Sequence, residues 1–145
     1  MPRAFAATDQ KLSLFLGGGI TNCPDWQSFM TESLDNLDNL IVVNPRRVSF
    51  DTKDGNIRPQ IEWERDQLNR VSATMFWFPC ETVCPITLFE LGYAAAAGKM
   101  IFVGCDKNYS RKEDVIIQLS LLRPEVVVVE SLYEMIGNIR EWYFL

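Results

Sequence analysis

The chain has 145 residues, 48% of them hydrophobic and 23% charged, which fits one globular domain able to bury a core without disulfide or metal staples. Its 14 basic and 19 acidic side chains leave a net charge of -5, the wrong sign for a nucleic-acid polymer binder, though one local cation can still hold a small nucleotide. Histidine is absent, which excludes Ser-His-Asp and Cys-His nucleophile pairs and histidine metal sites and leaves acid–base work to carboxylates, Tyr, Lys or Cys.

The opening MPRAFAATDQK carries no apolar signal core, and no apolar run approaches the ~20 residues of a membrane span. Of the cysteines Cys23, Cys80, Cys84 and Cys105, only Cys80 and Cys84 are close in sequence, and no second pair completes a zinc site. The expectation is a cytoplasmic protein with reduced thiols, a single domain over residues 1–145, and no membrane partner.

Leu12–Leu16 is the first apolar run and is predicted as a buried strand. Gly17-Gly18-Gly19-Ile20-Thr21-Asn22 follows, a turn whose glycines let backbone approach a ligand; it matches neither GxGxxG before a helix nor a P-loop. Pro24 precedes a helix over Asp25–Leu37. Strand Leu40–Val43 ends at Asn44-Pro45-Arg46-Arg47, where adjacent arginines suit a phosphate or carboxylate or simply balance nearby acids.

The helix Pro59–Val71 carries Ile61, Leu68 and Val71 on one face and the run Glu62-Trp63-Glu64-Arg65-Asp66. Asp66 and Arg70 are spaced for a surface salt bridge, and Trp63 is a candidate pocket aromatic. Strand Thr74–Phe78, helix Pro85–Ala97 stopped by Gly98, strand Met100–Val103, helix Lys112–Leu122, strand Val126–Val129 and helix Ser131–Trp142 complete the chain. Continuous apolar strands alternating with helices predict an α/β fold: a three-layer, doubly wound, parallel five-stranded sheet with its ligand beyond the strands' carboxyl ends.

Within Pro85–Gly98 the only charge is Glu90. An unpaired carboxylate in so apolar a helix is expensive, so Glu90 is either satisfied structurally or stands at a pocket wall; the residues alone leave both open. Residues 86, 87, 93, 94 and 97 share its face, and alanines at 94 and 97 are expected to leave room for a flat ligand.

Taken together, FLGGGITNCPDW, NPRR, EWERDQL and FWFP…CPITLFELGYAAAAGK resemble the nucleoside 2-deoxyribosyltransferase family over most of the chain. The resemblance implies a flavodoxin-like fold and base exchange by double displacement, with nucleosides and nucleobases as partners. It implies Glu90 as nucleophile, Asp66 as the proton-transfer partner, and Gly17, Gly18 and Ile20 lining the base and sugar. It also implies a homo-oligomer with sites near the subunit interface. Asn44, Arg47, Trp63 and Glu81 are the remaining candidate binding residues. Glu81 stands in for the acid that many members place six residues before the nucleophile, where this chain has Cys84; Phe15 stands where many have a tyrosine. The chemistry requires no metal or redox cofactor. Rival expectations are a nucleoside 5′-monophosphate N-glycosidase, with Arg46, Arg47, Thr21 and Asn22 building a phosphate site, and a non-catalytic nucleotide-binding module.

Overall fold

The computed structural model describes residues 11–47 and 55–145, with the backbone alone at Arg47. Strands β1 (Leu12–Gly18), β2 (Leu40–Val43), β3 (Ala73–Phe78), β4 (Ile101–Cys105) and β5 (Val128–Val129) form one parallel sheet in the order β2-β1-β3-β4-β5. Helices α1 (Trp26–Ser33), α2 (Arg58–Arg70), α3 (Pro85–Ala96), α4 (Lys112–Leu122) and α5 (Leu132–Tyr143) make the crossovers, with one 3-10 turn at Pro45–Arg47. The flavodoxin-like α/β expectation holds.

Strand alternation sorts the core into two layers. Phe15, Phe76, Phe78, Ile101 and Val103 point to one side, where Leu68 of α2, Leu91, Ala94 and Ala95 of α3 and Val115 and Leu119 of α4 cover them. Leu14, Leu16, Met75, Trp77 and Phe102 point to the other, under Trp26 and Met30 of α1 and Met135 and Ile139 of α5. Complete burial of a Phe or Leu side chain contributes about 1.5–3 kcal/mol, so these layers dominate the fold's stability.

The element boundaries differ from expectation for local reasons. β1 runs two residues further, pairing Gly17 with Phe76 and Gly18 with Trp77, so two of the three turn glycines belong to the sheet. A Cβ on Gly18 would lie 2.4 Å from both the Trp26 ring and the Trp77 carbonyl; that close approach demands glycine. Helix α1 begins at its Asp25 cap, whose carboxylate accepts from the Ser28 N–H at 3.1 Å, and ends early at Leu34. β5 starts only at Val128, because the Val126 N–H bonds the Arg123 carbonyl in a turn instead of joining the ladder. Trp142 and Tyr143 pack against the core, while Phe144 and Leu145 are exposed. No helix among the described residues is long and apolar enough to cross a membrane.

Candidate active site

Beyond the carboxyl ends of β1 and β3 lies a cleft of about 380 Å³. Its floor is Gly18, Gly19, Ile20 and Thr21; α2 lends Gln60, Ile61 and Glu64, and the start of α3 lends Pro85, Ile86, Thr87 and Glu90. Each part is held by identifiable contacts. The Gly19 carbonyl accepts from Trp26 Nε1 at 2.9 Å and Gln27 Nε2 at 3.2 Å, which anchors the turn to α1. The loop before α3 is tied down by the Tyr109 hydroxyl, which donates to the Val83 carbonyl at 2.5 Å. Cys84 then takes a left-handed conformation at φ 55° and launches α3 from Pro85.

Glu90 is 8% exposed and forms no hydrogen bond among the described residues. Burial pushes its carboxyl up from the ordinary 4.5 to about 7; the negative charge of Glu64 adds to the rise and Arg65 opposes it. Glu64 is itself raised by burial, offset in part by a hydrogen bond from Gln60. Both acids also line an adjoining groove between α2 and α3 with Arg65 and the exposed Ile61, Ile86 and Phe89. The Arg65 guanidinium lies 3.9 Å over the Tyr93 ring, one turn beyond Glu90. The negative charge of Glu64 disfavours ionisation of Glu90, and of two such carboxyls one can act as nucleophile while the other serves as acid.

The cleft brings together Glu90, Gly18 and Ile20 from the sequence-derived set. It does not include Asp66, which is exposed and paired with Arg70 at 2.9 Å, the surface salt bridge that its spacing suggested. Glu64 is the acid of α2 that lines the cleft. Gly17 lies inside the sheet, 3.1 Å from the Phe76 ring by its would-be Cβ. Trp63 packs on the core beside Phe15, with ring centroids 6.1 Å apart. Asn44 is buried at the tip of β2, where its Oδ1 accepts from the Arg46 N–H, and Glu81 is exposed outside the cleft. The Arg47 side chain and residues 48–54 lie outside the described residues.

Other features of the site also depart from the sequence reading. Arg46 is committed elsewhere: it pairs with Asp25 at 3.2 Å and donates to Gln27 Oε1 and the Pro24 carbonyl. Ala94 is buried in the core and Ala97 caps the far end of α3, so neither opens the cleft; the room comes from Gly18, Gly19 and the first turn of α3. Thr87 and Glu64 were not among the sequence candidates. Helical phase points to both: Thr87 lies three before Glu90, and Glu64 lies four before the core residue Leu68.

A doubly wound α/β domain with a cleft at its strand tips lined by a buried and a half-buried acid is the class these observations define. The chain matches the family described as nucleoside 2-deoxyribosyltransferase like over residues 11–109, and it belongs to that family. Its fold is similar to the crystal structure of a conserved protein from Enterococcus faecalis V583, with TM-score 0.71 and 12% identity over 90% of this chain and 98% of that one. No curated protein matches the sequence.

Proposed function

We propose that the chain transfers 2′-deoxyribosyl groups between nucleobases through a covalent glycosyl-Glu90 intermediate. The observation that carries this reading is Glu90 itself: a buried carboxyl without a hydrogen bond, facing a cleft and raised to about 7 beside a second acid. Burial and the Glu64 charge make Glu90 costly to ionise, a cost that a purely structural glutamate avoids by pairing with a cation or backbone amides. Family membership supplies the nucleoside as ligand.

The Glu90 carboxylate attacks C1′ as the C1′–N bond breaks and its electron pair goes to the base nitrogen. Glu64 gives its proton to the departing base. The productive arrangement has Glu64 protonated, while Arg65 and the developing positive charge on the sugar favour ionised Glu90. An incoming base attacks C1′ from the face the first base left as the C1′–O ester bond breaks and its electron pair returns to the Glu90 carboxylate; the base gives a proton back to Glu64, and the outcome is net retention. Nothing in these steps draws on a metal or redox group.

The test is base exchange from a deoxyribonucleoside to a free acceptor base with Glu90→Gln. The variant should fold and lose exchange by ~10³-fold or more, as removal of a covalent nucleophile does. Exchange at near wild-type rate removes the mechanism. Of the residues the monophosphate-hydrolase rival would use for a phosphate, Arg46 is already engaged by Asp25, Gln27 and Pro24.

A further inference from the structure

The transfer chemistry leaves the Asn44-Pro45-Arg46 segment without a part, yet a chain of hydrogen bonds runs from it to the floor of the cleft. Asn44 Oδ1 accepts from the Arg46 N–H at 3.0 Å, a turn made by the side chain that opens the 3-10 turn at the tip of β2. From there Arg46 Nε donates to Gln27 Oε1 at 2.9 Å. Gln27 is fully buried on α1, and its Nε2 donates to the Gly19 carbonyl at 3.2 Å. A side-chain amide has an accepting end and a donating end, whereas a guanidinium can only donate. Arg46 therefore keeps Oε1 toward itself and leaves Nε2 for Gly19.

That last bond fixes a peptide of the cleft floor. The Gly19–Ile20 peptide is trans, so its carbonyl and its N–H point in opposite directions. Trp26 and Gln27 turn the carbonyl toward α1, and the Ile20 N–H faces the other way, to the side of the sheet where α2 and α3 wall the cleft. On its free side Gly19 has no slack: a Cβ there would lie 3.0 Å from Cys84 Sγ and 3.1 Å from Pro79 Cγ. What holds the carbonyl thus decides where the floor sits. The segment is kept at a cost to the fold, because Asn44 Nδ2 is buried with no hydrogen-bond partner. Selection for stability alone would remove that cost.

We propose that Gln27 and Arg46 are positioning residues for the transfer reaction. Arg46 orients the Gln27 amide, and Gln27 holds the Gly19–Ile20 peptide so that its N–H is offered to the ligand. This rests on the nucleoside-transfer reading above. It ties Arg46 to the substrate through the turn, without contact between the two.

The test measures base exchange at saturating acceptor base for wild type, Gln27→Met, Arg46→Met and the double variant. A contact shared by the bound and transition states sets KM, so each variant should raise KM for the nucleoside about 10-fold with kcat within about 3-fold of wild type. The double variant should be no worse than Gln27→Met, because Arg46 acts through the amide. Gln27→Glu keeps a partner for Arg46 but sets an oxygen against the Gly19 carbonyl. It should show the same rise in KM, which keeps the test decisive should methionine disturb folding. Amide NMR adds a readout that needs no turnover: the Ile20 signal should shift in Arg46→Met as it does in Gln27→Met. An unchanged KM in folded variants, additive losses in the double variant, or an Ile20 signal indifferent to Arg46→Met overturns the assignment. If wild type exchanges no base, the transfer reading falls, and the Ile20 signal alone decides whether Arg46 acts on the turn.

Discussion

A carboxyl held near pH 7 inside a protein weakens the fold in proportion to its ionisation, and Glu90 gives that statement a number. Between an unfolded value of 4.5 and a folded value of about 7, the folded chain binds the Glu90 proton more tightly than the unfolded chain. Stability therefore falls as pH rises through that window and levels off above it. At about 1.4 kcal/mol per pH unit, the penalty fully present by pH 8 is roughly 3 kcal/mol. Glu90→Gln removes the titration. Its buried amide adds an offset of its own, but that offset does not vary with pH. The variant should gain roughly 3 kcal/mol on wild type between pH 4.5 and pH 8, equivalent to about 10 °C in relative Tm for a chain of this size. Urea unfolding of both proteins at half-unit pH steps reads the difference directly. Parallel curves across the window would mean that Glu90 is satisfied in solution by groups absent from this structure, and the argument for its reactivity would go with them.

Two further substitutions separate the acids on α2. Glu64→Gln removes the like charge beside Glu90, so the Glu90 carboxyl should drop below its value of about 7 and the acid limb of the exchange rate should move to lower pH. The same change removes the proposed proton donor, so exchange should slow by ~10²–10⁴-fold and lose its alkaline fall; a pH–rate profile of the variant reads both. Asp66→Asn breaks only an exposed pair with Arg70, at a cost of about 0.3–0.5 kcal/mol, and exchange should stay within about 2-fold of wild type. A large loss at Asp66 with an unaffected Glu64 variant would reassign the proton role to Asp66.

The fold was legible because its signals are short-range. Proline-started helices and continuous apolar strands mark themselves in sequence, and their alternation leaves few topologies. The errors fall where tertiary contacts decide: β1 takes two glycines from the turn because Trp77 and Phe76 offer ladder partners, and β5 loses two valines to a turn with Arg123. Glu90 was visible for a related reason, since a lone charge in an apolar helix conflicts with its surroundings whatever the fold.

Glu64 had no such contrast. It lies among Glu62, Arg65 and Asp66, and a run of charges looks like a solvated face when composition alone is weighed. Phase separates them: Leu68 is buried, Glu64 stands one turn before it toward the cleft, and Asp66 is turned to solvent with Arg70. Residue type was therefore the weaker guide on α2, and angular position about the helix the stronger. The same holds on α3, where the small side chains at 94 and 97 drew attention to the wrong end of the helix. The cleft opens at the other end because the chain there has nothing to spare for its own donors. Val83 and Cys84 have given their carbonyls to Tyr109 and Leu88, Pro85 has no N–H, and Thr87 and Glu90 face the cleft. Holding a carboxyl in a narrow cleft beside a second acid costs free energy that selection for stability alone would remove, and binding a polar ligand is the physical circumstance in which that cost is recovered.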